Sequence, residues 1–202
     1  MGMKAAENGP LILASSSPRR KSLLAETGYE FIVMQPHDGA EDAIAQGEEP
    51  AELVQRLALQ KARDVAKRCE AGIIIGCDTI AECAGEILGK PIDRADARRM
   101  LALLRGHEHR VYSGLCLWRR PDNTHRVELD VTRLVMDPIT DAELENYLNS
   151  DQWQGKAGAF GYQDRAGWLT IVSGSESNVI GLPLELLATM LREMFPPERP
   201  VH

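Results

Sequence analysis

The sequence predicts an α/β fold with a mixed, bent sheet and two lobes around a central cleft. Apolar stretches of strand length alternate with stretches of helical period, which is typical of proteins in which helices pack on a sheet. No internal repeat, low-complexity tract or long linker divides the 202 residues. A chain of this length buries one sizeable core, or two small cores that share a cleft, so residues 1–202 are predicted to form a single domain.

The first elements follow from apolar runs and capping residues. Residues 11–15 form a short apolar run and are the first predicted strand. A helix follows directly, because Ser17 is a good N-cap and Gly28 lies where the helix must end. Alternation over 29–34 indicates a second strand. After a polar loop, apolar residues at helical spacing predict a long amphipathic helix from 50 to about 69.

The middle of the chain is predicted to contain a buried strand, a hairpin and a helix. Residues 72–76 form a solid apolar run, which is typical of a central strand, and the triplet Cys-Asp-Thr follows at its end. A turn makes 82–91 a hairpin with Lys90 on its returning arm. Asp93 is the N-cap of the next helix, which ends at Gly106.

The last third repeats the alternation. Strands are predicted at 109–118 and 125–135, separated by a Pro-Asp-Asn turn. A capping box opens a helix at Thr140, which runs to about Asn149. Residues 155–173 are rich in glycine and then strand-like, and Pro183 begins a closing helix.

Composition excludes several classes of function. The net charge of −7 and the pI near 5.3 argue against a general nucleic-acid or membrane-surface binder, because either needs a basic face. No apolar run has the length of a signal peptide core or a membrane helix. Four cysteines without zinc-type or redox spacing favour a reduced compartment. We therefore expect a cytoplasmic protein without a membrane or nucleic-acid partner.

The junction Leu-Ala-Ser-Ser-Ser-Pro-Arg-Arg-Lys, at 13–21, is a candidate phosphate site. The first N–H groups of a helix lack intrahelical partners and attract anions. Serine hydroxyls and the guanidinium groups of Arg19 and Arg20 add donors suited to phosphate oxygens. The alternative is that Ser17 only caps the helix and the cations are solvated.

Two charged residues stand at unusual positions. Lys61 lies on the apolar stripe of its helix, so its ammonium either snorkels to the surface or points into a cleft. Asp78 follows a buried strand, where open α/β sheets bind ligands, although it could equally cap the turn. Further carboxylates that could help to hold a hard cation such as Mg²⁺ are Glu41, Asp42, Glu82 and Glu86.

The loop 155–163 is the third polar cluster. Its small residues allow a ligand to approach the backbone, and Lys156 and Gln163 could donate hydrogen bonds to it. A glycine-rich loop without function is the alternative. The five histidines form no metal or triad pattern. These features indicate metal-assisted phosphate chemistry without identifying the substrate.

Six stretches in order, LILASSSPRRKSLL, LVQRLALQKA, IIIGCDT, EILGKP, GKAGAFGYQ and SNVIGLPL, resemble the Maf family of nucleoside triphosphate pyrophosphatases. The resemblance covers about residues 10–192. It implies a mixed α/β fold related to the inosine-triphosphate pyrophosphatases, in a homodimer in the cytoplasm. It also implies that a nucleoside triphosphate is cleaved to the monophosphate and pyrophosphate with a divalent cation, Mg²⁺ or Mn²⁺.

The resemblance also implies roles for individual residues. Asp78 matches the proton acceptor, which could instead be a metal ligand. The positions of the phosphate cleft are matched by Ser15, Ser17, Arg19, Lys61 and Lys90. The positions tied to a preference for dTTP and UTP are matched by Arg19, Thr79 and Gln163. The branch that acts on 7-methyl-GTP typically has glutamine at the position of Thr79 and lacks the glutamine that is Gln163 here, so the resemblance favours dTTP and UTP. Hydrolysis of 7-methyl-GTP is the alternative.

Two departures from the family pattern matter. The usual Ile-Asp-Glu is replaced by Ala40, Glu41 and Asp42, which leaves either acid as the one that faces the metal. An aromatic residue near the end is replaced by Glu176, a change that bears on base recognition. A different class of function is a non-catalytic nucleotide-binding regulator of cell division, which would keep the cleft without a working metal site.

Overall fold

A computed structural model describes residues 9–42, 47–164 and 167–194, with Gln163 described by its backbone alone. The strands are β1 (Leu11–Ala14), β2 (Phe31–Val33), β3 (Gly72–Cys83), β4 (Glu86–Leu88), β5 (Glu108–Arg120), β6 (His125–Met136) and β7 (Leu169–Ser173). The helices are α1 (Pro18–Glu26), α2 (Pro50–Ala66), α3 (Arg94–Leu104), α4 (Asp141–Asn149), α5 (Glu176–Ile180) and α6 (Leu184–Met194). Two 3₁₀ turns, Ala157–Ala159 and Tyr162–Asp164, precede β7.

The seven strands form one mixed sheet in the order β2-β1-β3-β5-β6-β7, with β4 paired to β3. β1 runs parallel to β2 and β3, and the remaining pairs are antiparallel. β1 and β4 both pair with the edge of β3 that faces away from β5. Pairing with β1 ends at Gly76 and pairing with β4 begins at Ala81, opposite Leu88, so the segment 77–80 has no strand partner on that edge.

Helices cover both faces of the sheet. α2 packs on one face, against residues of β1, β3 and β5. On the other face, α1 and α6 enclose one core with the β1 end of the sheet, and α3 and α4 enclose a second core around β4, β5 and β6. The mixed α/β fold predicted from the sequence is confirmed. None of the described helices is long and apolar enough to cross a membrane.

The local signals located most elements correctly. Ser17 caps α1 by accepting a hydrogen bond from Arg20 N, and Thr140 and Glu143 form the capping box of α4. The prediction that the central strand ends at residue 76 was wrong, because β3 continues to Cys83. Asp78 therefore lies inside a strand and does not cap a turn. The short helix α5 was not predicted, since its five residues are too few to show a helical period.

Two glycines allow α2 to lie directly on the sheet. A Cβ atom at Gly76 would lie 2.2 Å from Ala58 O, and one at Gly114 would lie 2.1 Å from Val54 O. Gly114 pairs with Asp78 across β3 and β5. Because backbone atoms of α2 fill the space that side chains would need, these glycines set the distance from which α2 presents its own side chains to β3.

We expect Gly114→Ala to destabilise the protein by about 2 kcal/mol or more, because the added methyl group overlaps the backbone of α2. The midpoint of thermal unfolding should fall by roughly 4–8 °C. Gly89→Ala is the matched control, since nothing lies within 4 Å of its added Cβ. Equal unfolding midpoints for the two variants would contradict the close packing of α2.

Candidate active site

A cleft of about 650 Å³ opens along the unpaired edge of β3. One side is formed by the start of α1 and by Gly181, and the other by Lys90 and the loop 154–162. Residues 36–41 and Lys61 of α2 close a third side. The cleft therefore lies between the two cores and receives side chains from both faces of the sheet.

The start of α1 presents hydroxyl and guanidinium groups to this cleft. Ser15 is buried, and its Oγ accepts a hydrogen bond from Ser17 N at 3.1 Å. Arg19 reaches across the cleft and donates from Nη2 to Gly155 O at 2.8 Å. Burial lowers the pKa of Arg19, and the neighbouring charge of Arg20 lowers it further. An anion bound here would relieve the repulsion between the two guanidinium groups.

A compact charged group lies on the α2 face of β3. Lys61 is only 9% exposed, and its Nζ lies 2.5 Å from Asp78 Oδ1 and 3.1 Å from Glu41 Oε2. Lys61 therefore points into the cleft and does not snorkel to the surface. Asp42 turns the other way, and its Oδ2 accepts from Gln60 Nε2 at 2.5 Å. Of the two adjacent acids, Glu41 is the one that lines the cleft.

The oxygen atoms of this group fit a divalent cation of the Mg²⁺ type. Glu41 and Asp78 direct carboxylate oxygens at the same ammonium, so negative charge is concentrated where a cation is already accommodated. Mg²⁺ is commonly held by one or two carboxylates together with phosphate oxygens of the substrate. No cluster of three or more His, Cys, Asp or Glu residues suited to a metal occurs in the described ranges, so a cation held by Glu41 and Asp78 would need further oxygen atoms from substrate or water.

The loop 154–162 and Lys90 form the opposite side. Lys90 lines the cleft, is exposed, and has no ion-pair partner in the part of the chain that the structure describes. Lys156 also lines the cleft, but its ammonium is paired with the buried carboxylate of Asp164. Asp164 in turn accepts from the hydroxyl of Tyr147 and from Gly161 N. These bonds tie the loop to α4, so Lys156 is held in place and only partly available to a ligand.

A second polar group lies on the other face of β3. Thr79 Oγ1 lies 2.8 Å from Ser113 Oγ and 3.3 Å from Gly181 O. Arg20 donates from Nε to Gly181 O at 2.7 Å and from Nη2 to Thr79 Oγ1 at 3.2 Å. Gly181 adopts φ 124°, a conformation that favours glycine, and so the turn between α5 and α6 can present its carbonyl here.

Most of the site residues predicted from the sequence line one cleft. They are Ser15, Ser17, Arg19, Glu41, Lys61, Asp78, Thr79, Lys90 and Lys156. Asp42 does not line it, and the side chain of Gln163 lies outside the described part of the chain. Sequence reasoning did not identify Ser113, Gly181 or Asp164. Only Gly181 carried a signal, because a glycine before Leu-Pro indicates a special turn; the other two depend on strand register and loop path.

Comparison with known proteins shows a single family over nearly the whole chain. A family model described as Maf-like protein matches residues 10–194. A dTTP/UTP pyrophosphatase of Rhodopirellula baltica is 50% identical over 182 residues, covering 90% of this chain and 80% of that protein. A dTTP/UTP pyrophosphatase of Symbiobacterium thermophilum is 42% identical over 184 residues, covering 91% and 93%.

Two solved structures show weaker likeness. A nucleoside-triphosphatase / dITP/XTP pyrophosphatase of Mycobacterium abscessus is 15% identical with a TM-score of 0.43, covering 93% of this chain and 100% of its own. A HAM1 protein of Coxiella burnetii is 17% identical with a TM-score of 0.48, covering 91% and 98%. Such scores support no conclusion about this chain. The match over residues 10–194 and the relatives at 42% and 50% identity show that the chain belongs to the Maf family.

Proposed function

We propose that the protein hydrolyses nucleoside triphosphates, with dTTP and UTP as its preferred substrates, to the monophosphate and pyrophosphate. The observation that carries this proposal is the group of Lys61, Asp78 and Glu41 beside the cation-rich start of α1. Family relatives that cover 90% of the chain or more are named for the same activity. A polyanion and the group that cleaves it would meet at the open edge of β3.

The start of α1 binds the triphosphate in this proposal. Ser15 and Ser17 supply hydroxyl donors, and Arg19 supplies charged donors that suit phosphate oxygens. Lys61 and Lys90 approach the same space from α2 and from the end of β4. Their charges stabilise the negative charge that develops as the bond between the α- and β-phosphates breaks.

Glu41 and Asp78 would hold Mg²⁺ or Mn²⁺ together with phosphate oxygens. The bound cation would neutralise phosphate charge and favour attack by water. Asp78 has one oxygen on Lys61, whereas its Oδ2 has no hydrogen-bond partner among the described residues. That oxygen is free either to accept the proton of the attacking water or to bind the cation.

The nucleoside lies on the other side of the cleft in this proposal. Thr79 and Lys156 face that side, and the backbone of Gln163 follows in the 3₁₀ turn Tyr162–Asp164. A cytoplasmic location and a homodimer, which the resemblance implies, stay predictions. The four cysteines are buried and free of disulfides, which fits a reducing compartment.

We expect purified protein to release pyrophosphate from dTTP or UTP in Mg²⁺ or Mn²⁺, and to release none in EDTA. Ion-exchange chromatography separates the nucleotides from their products and so measures this release. The same panel includes CTP and 7-methyl-GTP. Release of inorganic phosphate, or equal activity in EDTA, would contradict the proposal. A higher kcat/KM for 7-methyl-GTP would assign the protein to the alternative branch, and binding without hydrolysis would favour a regulator.

Asp78→Asn should lower kcat by about 10²- to 10⁴-fold, the usual range for loss of a general base. The variant should still fold, because asparagine has nearly the same shape and Lys61 keeps Glu41 as a partner. Asp96→Asn is the control, since Asp96 is also a partly buried, ion-paired acid but lies outside the cleft. Near-normal kcat with a lowered unfolding midpoint would assign Asp78 a structural role.

The two adjacent acids should behave differently. Glu41→Gln should raise the Mn²⁺ concentration for half-maximal activity by about 10-fold or more, because a candidate ligand is lost. Asp42→Asn should leave that concentration unchanged, since Asp42 bonds to Gln60 away from the cleft. Manganese titrations of both variants give the comparison, and the reverse ranking would show that Asp42 faces the metal.

A further inference from the structure

The hydroxyl group of Thr79 already has three partners within the protein. A hydroxyl offers one donor and two acceptor positions. Arg20 Nη2 donates to it, and Gly181 O lies 3.3 Å away as an acceptor for its own hydrogen. Ser113 Oγ lies 2.8 Å away, and either hydroxyl of that pair can be the donor. When Thr79 donates to Gly181 O and Ser113 donates to Thr79, these three partners use every position and leave none for a nucleotide.

Arg20 is in the opposite situation. A guanidinium has five N–H donors, of which the described residues engage Nε, on Gly181 O, and one on Nη2, on Thr79 Oγ1. Both Nη1 hydrogens and the second on Nη2 have no partner within the described ranges. Because Arg20 lines the cleft, these hydrogens are available to a ligand.

The orientation of this guanidinium is fixed at two points. A planar group held through Nε and Nη2 cannot rotate without breaking a bond to Gly181 O or to Thr79 Oγ1. Gly181 follows α5, which Asn178 anchors by donating from Nδ2 to Val111 O at 3.2 Å. The free edge of Arg20 is therefore aimed by the fold and not by the ligand.

We propose that Arg20 recognises the carbonyl oxygen at position 4 of the pyrimidine base, and that Thr79 is a positioning residue that acts through Arg20. Side chains alternate along β3, so Thr79 and Asp78 lie on opposite faces of the sheet. Arg20 is bonded to Thr79 on one face, and Lys61 is bonded to Asp78 on the other. The loop that carries Lys156 lies on that same face, where Gly158 approaches the side chain of Ala81. This inference rests on the proposed function of the cleft.

The chemistry of arginine suits a choice between uracil and cytosine. Uracil and thymine carry a carbonyl at position 4, which accepts a hydrogen bond, whereas cytosine carries an amino group, which donates one. A guanidinium only donates, and it cannot reverse its role as a glutamine amide can by flipping. Against cytosine, Arg20 would face another donor and remain unpaired, so UTP is favoured over CTP.

The test is a double-mutant cycle read as the ratio of kcat/KM for UTP to kcat/KM for CTP. Thr79→Val removes the hydroxyl at nearly constant shape. Arg20→Lys keeps the positive charge but loses the planar guanidinium and its several N–H donors. We expect each variant to lower the ratio by about 10- to 100-fold, the range for one hydrogen bond to a charged group. The double variant should lower it no further, because both changes act on one guanidinium. Lys21→Ala, an exposed cation on α1, should leave the ratio unchanged.

Three results would overturn the inference. An equal loss of kcat/KM for UTP and CTP in Arg20→Lys would mean that Arg20 binds phosphate. Multiplied effects in the double variant would mean that Thr79 contacts the base directly. A lowered unfolding midpoint with an unchanged ratio would mean that both residues are only structural. Should the native protein hydrolyse neither nucleotide, the proposed function fails. The inference is then tested by calorimetry, with the ratio of the Kd for CTP to the Kd for UTP measured for the native protein, the two single variants and the double variant.

Discussion

The cleft exists because β1 ends before β3 does. Pairing stops at Ala14 and Gly76, since Ser17 and Pro18 turn the chain into α1 at that point, and proline has no N–H to extend a ladder. β3 continues because it is paired with β5 from Gly72 to Glu82. The start of a helix is thereby brought to an open strand edge, which places anion-attracting N–H groups beside the residues of β3.

An acidic chain can bind a polyanion here because its cations are held in different states. Lys61 and Lys156 are neutralised by carboxylates, whereas Arg19 and Arg20 are held by backbone carbonyls, which fix their geometry without cancelling their charge. Burial and the charge of Arg20 lower the pKa of Arg19, so the pair carries an electrostatic cost in the free protein. Under the proposed function, a triphosphate bound beside them would relieve that cost and gain affinity from it. The net charge of the chain is therefore a poor guide to what the cleft binds.

Local signals predicted the elements, and long-range pairing decided the rest. The caps of α1 and α4 depend on a few residues that are close in the chain, so their positions could be predicted from the sequence. The extension of β3 through Asp78 to Cys83 did not, because it depends on a register with β5 that no local pattern encodes. The motifs likewise named most residues of the cleft. They could not separate Glu41 from Asp42 or pair Lys156 with Asp164, since a loop's path determines which way its side chains point.

The alternation of side chains along β3 divides the cleft into two faces. Asp78 and Thr79 are adjacent, yet their side chains point to opposite faces, toward Lys61 and toward Arg20. Their partners on β5 continue the division, since Gly114 gives α2 its close approach and Ser113 meets the hydroxyl of Thr79. A shift of register by one residue would exchange the faces. The backbone contact at Gly114 and the hydroxyl pair at Ser113 both oppose that shift, so the packing that stabilises the sheet also keeps Asp78 with Lys61 and Thr79 with Arg20 on separate sides of one strand.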